Sequence, residues 1–357
     1  MSVSLWTLWT QLFPSPGPIN EANIQSQAGK VFVVTGGSHG LGYELSKILY
    51  GAGGKVYMLT RSKERGEEAI ARIKAAYDGK DATAKKPGSL EFIHMDLMDF
   101  ESVKRAAQEF LDREGPDGRL DVFHVLITDP DMFRFNNAGT GGRKNAPVGA
   151  QGNEYHFTTN TLGPFLLARL LTPILSSTAK RSPPGSVRVV GAASLLVETG
   201  APKGGVREEF INDQESAKKM DYVELYSASK AACWYLSSEL SRRQPRGDGA
   251  IAYLAGNPGT YLTNMWRYTP WFLYIFFLPL LRDPTLQGAE TYLWMGLSDE
   301  VTLDDAVAGR YATCNGRWHP GQRADLLQAL RGVDEGGSGW ASKVYDWCED
   351  RIRSYLD

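Results

Sequence analysis

Tyr226 and Lys230 stand four residues apart within Tyr-Ser-Ala-Ser-Lys, a spacing that puts a phenol and an ammonium on one helix face, one turn from each other. A phenol with a pKa near ~10 is a poor proton donor or acceptor at neutral pH. A cation held nearby favours the phenolate and moves the group toward useful acid/base chemistry. The same pair also describes a half-buried tyrosine beside a solvated lysine. The elements that would have to position it therefore decide between the two readings.

The first of these elements is a phosphate-binding entrance. The apolar run Val31–Val34 is long enough for a buried parallel strand and leads into Thr35-Gly36-Gly37-Ser38-His39-Gly40-Leu41-Gly42, followed by a helical pattern through Leu45, Ile48 and Leu49. Strand, glycine turn and helix is the context in which glycines let backbone N–H groups approach a pyrophosphate at a helix N-terminus. A dinucleotide site is expected here. The second strand, Lys55–Thr60, ends in Arg61, with Lys63 and Arg65 close behind and no carboxylate to receive a ribose 2′-hydroxyl. An arginine there accommodates a 2′-phosphate, so the expected cofactor is NADP(H) rather than NAD(H). The bland alternative for Arg61 is the basic start of a solvated helix. Strand three, Leu90–Met95, ends at Asp96, placed to meet the adenine, and the polar Asp78–Gly88 segment before it reads as a solvated loop.

Leu120–Ile127 reads as strand four, but the Asn136-Asn137-Ala138-Gly139 turn follows only after Thr128–Phe135. The next long helix contains Asn160, ahead of Gly163-Pro-Phe. Strand five, Val187–Ser194, carries Ser194 at its carboxyl end, the edge at which open parallel sheets bind ligands. After the long polar Leu195–Asp221 loop come the Tyr226 helix and strand six, Ala250–Leu254. Asn257-Pro258-Gly-Thr-Tyr261-Leu-Thr263 follows, then strand seven, Gly309–Thr313, and an amphipathic helix from Trp340 to Tyr355.

Two apolar stretches lie outside this alternation. Leu5, Trp6, Leu8, Trp9, Leu12 and Phe13 form a stripe before the Pro14–Pro18 breaker, in a region with no Lys or Arg before Asn20 and no cleavage pattern of a secretory signal. It reads as an arm packed on the domain or as a shallow membrane-surface contact. Trp271–Leu281 is the most apolar run in the chain, yet shorter than the ~20 residues that span a bilayer. It reads as a flap, about residues 264–282, over an apolar substrate.

With 357 residues, 42% of them hydrophobic, and a net charge of −2, the composition fits a soluble globular protein and gives no reason to expect nucleic acid as a partner. Cys233, Cys314 and Cys348 are odd in number and widely spaced, which suits a reducing, cytoplasmic compartment; no metal-ligand spacing is present.

Thr35–Gly42, Asn136–Gly139, Asn160, Ser194, Tyr226–Lys230 and Pro258–Thr263, in that order, resemble the short-chain dehydrogenases/reductases, with the retinol-dehydrogenase-like branch common among fungal metabolic enzymes looking closest. The resemblance runs from about Lys30 to the C-terminal helix. It implies a single doubly wound α/β domain with a parallel sheet, the Rossmann fold, over residues 30–335, preceded by an arm at 1–29 and followed by a helix at 336–357. It implies an NADP(H)-dependent oxidoreductase in which Tyr226 is the general acid/base and Lys230 lowers its pKa and holds the nicotinamide ribose. Ser194 would hydrogen-bond the substrate oxygen, and Asn160 would hold a water in a proton relay. Gly36, Ser38, Gly40, Leu41, Gly42, Arg61, Asp96, Asn137, Gly139, Pro258, Tyr261 and Thr263 match positions that line the cofactor. The resemblance leaves a homo-oligomer open. It also leaves open a cofactor-sensing protein without turnover and a reductase of an activated C=C bond.

Two departures from the family pattern stand out. The serine strand ends Gly-Ala-Ala-Ser rather than Val-Ser-Ser, which leaves Ser194 as the serine available. About eleven residues, Phe123 to Phe133, look inserted between strand four and its turn. They read as an excursion at the ligand edge or as an unspliced stretch, with a tighter strand-to-turn connection expected on their removal.

Overall fold

Strand β1 (Val31–Thr35) buries all five of its residues, as a strand covered on both faces must. Side chains alternate along a strand, so Val31 and Val33 enter one core while Phe32 and Val34 enter the other. The computed structural model describes residues 4–78, 86–126, 147–213, 220–261, 278, 281–283 and 287–356.

The remaining strands are β2 (Lys55–Thr60), β3 (Ser89–His94), β4 (Val122–Val125), β5 (Arg188–Ala192), β6 (Ala252–Gly256), β7 (Tyr311–Thr313) and β8 (Arg317–Trp318). They form one sheet in the order β3-β2-β1-β4-β5-β6-β7-β8. Every pairing is parallel except that of β8, which turns back against β7. The chain thus winds outward from β1 to β3 on one side and from β4 to β7 on the other. Its reversal point lies between β1 and β4. The expected doubly wound α/β fold is present, with an antiparallel edge hairpin that the sequence pattern did not announce.

Helices cover both faces. Phe100, Val103 and Phe110 of α4 (Phe100–Glu114) share one core with Trp234 and Tyr235 of the long helix Tyr222–Arg243 and with Val344 and Cys348 of the C-terminal helix Trp340–Ile352. Leu45 and Leu49 of α2 (Gly40–Gly51), Ala69 and Ile73 of α3 (Lys63–Ala75), and Tyr292 to Trp294 of the Glu290–Leu297 helix fill the other. Burying a Phe, Leu or Val side chain fully contributes about 1.5–3 kcal/mol, so these two layers fix the strand ends that carry the site. The continuous helix Tyr155–Ala179 is apolar and long enough to cross a membrane, but 67% of its apolar window is buried within the molecule, as befits a core helix.

Strand four corrects the reading of the insertion. Phe123, His124 and Val125 are buried residues of β4, in register with Val33 and Val34 of β1 and with Val189, Val190 and Gly191 of β5. Excess chain therefore cannot begin at Phe123. Removing Phe123–Phe133 would take out three of the four residues of a central strand rather than tighten a connection. Residues 127–135, together with the Asn136–Gly139 turn, lie outside the described residues.

The arm before residue 30 is built in an unusual sense. Its helix α1 (Leu5–Leu12) buries the polar Thr7 and Gln11, one turn apart, and exposes Leu5, Trp6 and Trp9, with Phe13 just beyond. Ser4 caps it by accepting from the Thr7 N–H. Beyond the helix, the arm is pinned to the body through Asn315 to the Ser15 carbonyl (2.6 Å), Arg282 to the Pro14 carbonyl (3.2 Å) and the Gly17 N–H to Glu290 (2.7 Å).

Candidate active site

The glycine turn has the geometry its composition implies. Gly36 and Gly40 take φ of 63° and 52°, the left-handed region that favours glycine. At Gly42, a Cβ would lie 2.4 Å from the Gly36 carbonyl oxygen, so only a glycine lets α2 start this close to the turn. No acidic residue occupies the first turn of α2, which leaves its positive end open to an anion. The Ser38 hydroxyl lies 2.9 Å from His39 Nδ1. The Thr35 hydroxyl donates to the Leu126 carbonyl (2.5 Å) and accepts from the Leu126 N–H (2.9 Å), locking the carboxyl ends of β1 and β4 together at the reversal point.

A cavity opens directly beyond these strand ends. Thr35, Gly36, Ser38 and His39 line it from β1, Thr60 to Ser62 and Arg65 from the β2 side, and Met95 to Met98 from β3. Asp96 is held in place there: its N–H donates to the Ser102 hydroxyl (3.0 Å) and its carboxylate accepts from the Met98 N–H (2.9 Å). Lys63, grouped with Arg61 and Arg65 in the sequence, is not on this wall; its ammonium lies 3.8 Å from Glu67 on the surface of α3.

The second cluster lies at the carboxyl end of β5. Asp221 caps the Tyr222–Arg243 helix by accepting from the Glu224 N–H (2.9 Å), and Arg242 and Arg243 end it with the charge its dipole favours. Tyr226 and Lys230 sit on its buried side, the ammonium 5.7 Å from the phenol ring centroid. The Ser194 hydroxyl lies near enough to the Tyr226 phenol to act on its proton affinity, so the structure brings these two sequence-predicted groups together. Burial pushes the phenol up to about 12, opposed by the Ser194 hydroxyl, so the lowering by Lys230 that the resemblance implied is not seen in the cofactor-free chain. Burial also brings Lys230 down to about 8, and its ammonium donates to the Ala192 carbonyl (2.8 Å) at the end of β5.

Asn160 occupies a π-helical stretch, Thr158–Leu162, in which the Gly163 N–H donates to the Thr158 carbonyl. Single π turns of this kind cluster at functional sites. The Asn160 Nδ2 donates to the Ser229 hydroxyl (2.8 Å), one residue before Lys230, and its Oδ1 is buried with no partner among the described residues. His156, one turn earlier, sets its ring edge-on to Tyr226, 6.2 Å between centroids.

The remaining predicted residues divide. Pro258 follows β6 and its carbonyl accepts from the Thr291 hydroxyl (3.3 Å). Tyr261 is buried with its hydroxyl on the Gln287 carbonyl (3.0 Å), away from the cavity at Arg61. Asn137, Gly139, Thr263 and nearly all of the 264–282 flap lie outside the described residues.

Two features escaped the sequence reading. The Tyr311 hydroxyl, from β7, donates to the Ser194 carbonyl (2.8 Å) and accepts from the Ser194 N–H (3.1 Å), gripping both backbone groups of that serine. Behind it, the buried Glu198 carboxylate accepts from Gln11 (2.9 Å) and from His319 Nε2 (3.1 Å). No local motif marks these residues, because their partners are more than 100 positions away in the chain.

A short-chain dehydrogenase/reductase from Phomopsis amygdali is 35% identical over 353 residues, spanning 99% of this chain and 98% of that protein. The chain belongs to the short-chain dehydrogenase/reductase family. The family's short chain dehydrogenase profile matches residues 30–201. A second short-chain dehydrogenase/reductase, from Neocamarosporium betae, is 34% identical over 98% of this chain and 94% of its own. Among solved structures, the L-sorbose reductase of Gluconobacter frateurii, determined with NADPH and L-sorbose, superposes with a TM-score of 0.55 at 17% identity, covering 82% of this chain and 97% of that one. A protein from Mycobacterium paratuberculosis gives a TM-score of 0.62 at 23% identity, over 94% and 98% of the two chains. These likenesses are of fold. Membership of the short-chain dehydrogenase/reductase family makes the chain an oxidoreductase that takes a nicotinamide cofactor and a small-molecule substrate.

Proposed function

We propose that this chain is an NADP(H)-dependent oxidoreductase that interconverts a carbonyl and a primary or secondary alcohol on an apolar small molecule, with Asn160, Ser194, Tyr226 and Lys230 as its working residues. The observation that carries the reading is the buried Tyr226 phenol with the Lys230 ammonium 5.7 Å from its ring centroid and the Ser194 hydroxyl near enough to act on its proton affinity. A carbonyl oxygen placed between those two hydroxyls is polarised by Ser194 and protonated by Tyr226. Burial holds the phenol up to about 12, so it keeps its proton at neutral pH and needs a neighbouring positive charge to become a good donor. The Lys230 ammonium stabilises negative charge as the phenol gives up its proton, and Asn160 anchors the helix turn that faces it.

The glycine cradle at Gly36–Gly42 fits a pyrophosphate, and the Arg61, Ser62 and Arg65 wall fits a ribose 2′-phosphate. Bound NADPH supplies the hydride. No carboxylate lines the end of β2 to receive a 2′-hydroxyl instead. Hydrogen bonds to charged groups contribute about 1.5–3 kcal/mol. That corresponds to a preference for NADPH over NADH of roughly 10–100-fold.

The test is turnover of a panel of apolar ketones and aldehydes with NADPH. Tyr226→Phe should cut kcat by about 10²–10⁴-fold while leaving the NADPH dissociation constant unchanged, because only the proton is lost. A Tyr226→Phe rate near wild type sinks the reading. Arg61→Ala should erase most of the NADPH preference and leave NADH use unaltered; equal kcat/KM for both cofactors in the wild type would remove the 2′-phosphate role. The outward-facing Leu5, Trp6, Trp9 and Phe13 support a shallow contact with a membrane surface, and the three buried free thiols support a reducing, cytoplasmic location. Co-sedimentation with phosphatidylcholine vesicles that disappears in Trp6→Ser/Trp9→Ser checks the first of these.

A further inference from the structure

Gln11 lies outside the stretch matched by the family profile, in an arm that precedes the Rossmann domain. Even so, its side chain reaches the carboxyl edge of the sheet and is buried there. Its Nε2 donates to Glu198 Oε2 (2.9 Å), and its Oε1 accepts from Asn257 Nδ2 (2.9 Å). Its backbone carbonyl accepts from the Cys314 thiol (3.0 Å). The amide orientation follows from its partners. Glu198 can only accept when ionised, and Asn257 turns its own oxygen to the Gly259 N–H (3.1 Å), which leaves its NH₂ for Gln11.

His319 is fixed by the same logic. Its Nδ1 accepts from the Gly321 N–H (3.1 Å), so Nε2 carries the hydrogen and donates to Glu198 (3.1 Å). Glu198 thus has two donors, one from the arm and one from the loop after β8.

The two ends of the Gln11 amide land on different halves of the site. Glu198 belongs to the short helix Leu196–Thr199, whose first N–H donates to the Ser194 hydroxyl (3.2 Å), the group proposed above to hold the substrate oxygen. Asn257 opens the turn after β6 that carries Pro258. We propose that Gln11 is a positioning residue of the active site: one amide spans the Ser194 segment and the Asn257–Gly259 turn and sets their separation. The role rests on the oxidoreductase reading above, since it assigns Ser194 to the substrate oxygen. It is separate from anchoring the arm, because Asn315, Arg282 and Glu290 hold Ser15, Pro14 and Gly17 without touching either segment.

The test compares wild type with Gln11→Met, which keeps the volume and loses both hydrogen bonds. Gln11→Asn, one methylene too short to span both partners, is the second variant should the first fail to fold. Each is measured for kcat and KM, for melting temperature, and for amide exchange over 193–199 and 256–259. The expected result is a fall in kcat of about tenfold with KM for NADPH within a few-fold, and faster exchange in both segments together. A lowered melting temperature with wild-type kcat and exchange overturns the proposal and leaves Gln11 an anchor. Faster exchange in one segment alone also overturns it. Should the wild type reduce no carbonyl at all, the oxidoreductase reading fails, while paired exchange still decides for or against the bridge.

Discussion

At the scale of single residues, the catalytic pair is expensive to hold. Lys230 is a buried ammonium whose folded-state value is about 8 against an ordinary 10.5. Below pH 8 it is charged in both folded and unfolded chains, so the whole burial cost falls on the fold. Between pH 8 and 10.5 the unfolded chain binds the extra proton, and stability rises with pH through that window. The cost is about 3 kcal/mol at pH 7, offset in part by the bond to Ala192. Lys230→Met should therefore raise the melting temperature of the cofactor-free protein at pH 7 by a few degrees and abolish turnover. A lower melting temperature would show that the Ala192 bond outweighs the burial. Tyr311 makes the opposite case. Tyr311→Phe removes one oxygen and leaves the Ser194 N–H and carbonyl unpaired, at about 1–3 kcal/mol for a buried group. The expected outcome is a tenfold or greater loss of kcat with the NADPH dissociation constant unchanged.

At the scale of elements, what the sequence revealed and what it hid have a common cause. Tyr226 with Lys230, the Gly36–Gly42 turn and Ser194 were legible because the spacing rules of a helix, a turn and a strand end are local. Tyr311, Glu198 with His319, and Gln11 were not, because each acts on a partner that only the finished sheet brings near. The insertion was misplaced for a related reason: Phe-His-Val looked dispensable beside a family pattern, yet these are the residues that pair β4 with both neighbours. His124 in that strand has neither ring nitrogen bonded among the described residues, and burial holds it down to about 3. It stays neutral in the fold while the unfolded chain takes up a proton below about 6.5. Each pH unit from there toward 3 costs up to about 1.4 kcal/mol of stability. His124→Leu should flatten the acid side of a melting-temperature profile between pH 6 and 4; an unchanged slope would mean the ring finds a partner when protonated. The glycine turn gives a sharper test of geometry. Gly42→Ala sets a methyl against the Gly36 carbonyl, and NADPH affinity should fall at least tenfold with far-ultraviolet circular dichroism unchanged.

At the scale of the whole molecule, the arm closes a loop that runs almost the length of the chain: Gln11 and Cys314 are 303 positions apart. Gln11 leaves the ribosome long before Glu198, Asn257 and Cys314. Loop closure over such a span is costly in entropy and slow relative to local pairing. The sheet and its helices can form before the arm has anywhere to dock. Refolding should then recover secondary structure ahead of reductase activity, with the gap closing as Trp6 and Trp9 fluorescence settles. A chain stopped before β7 would carry the glycine turn and the Tyr226–Lys230 helix and still leave the Gln11 arm without its Cys314 berth.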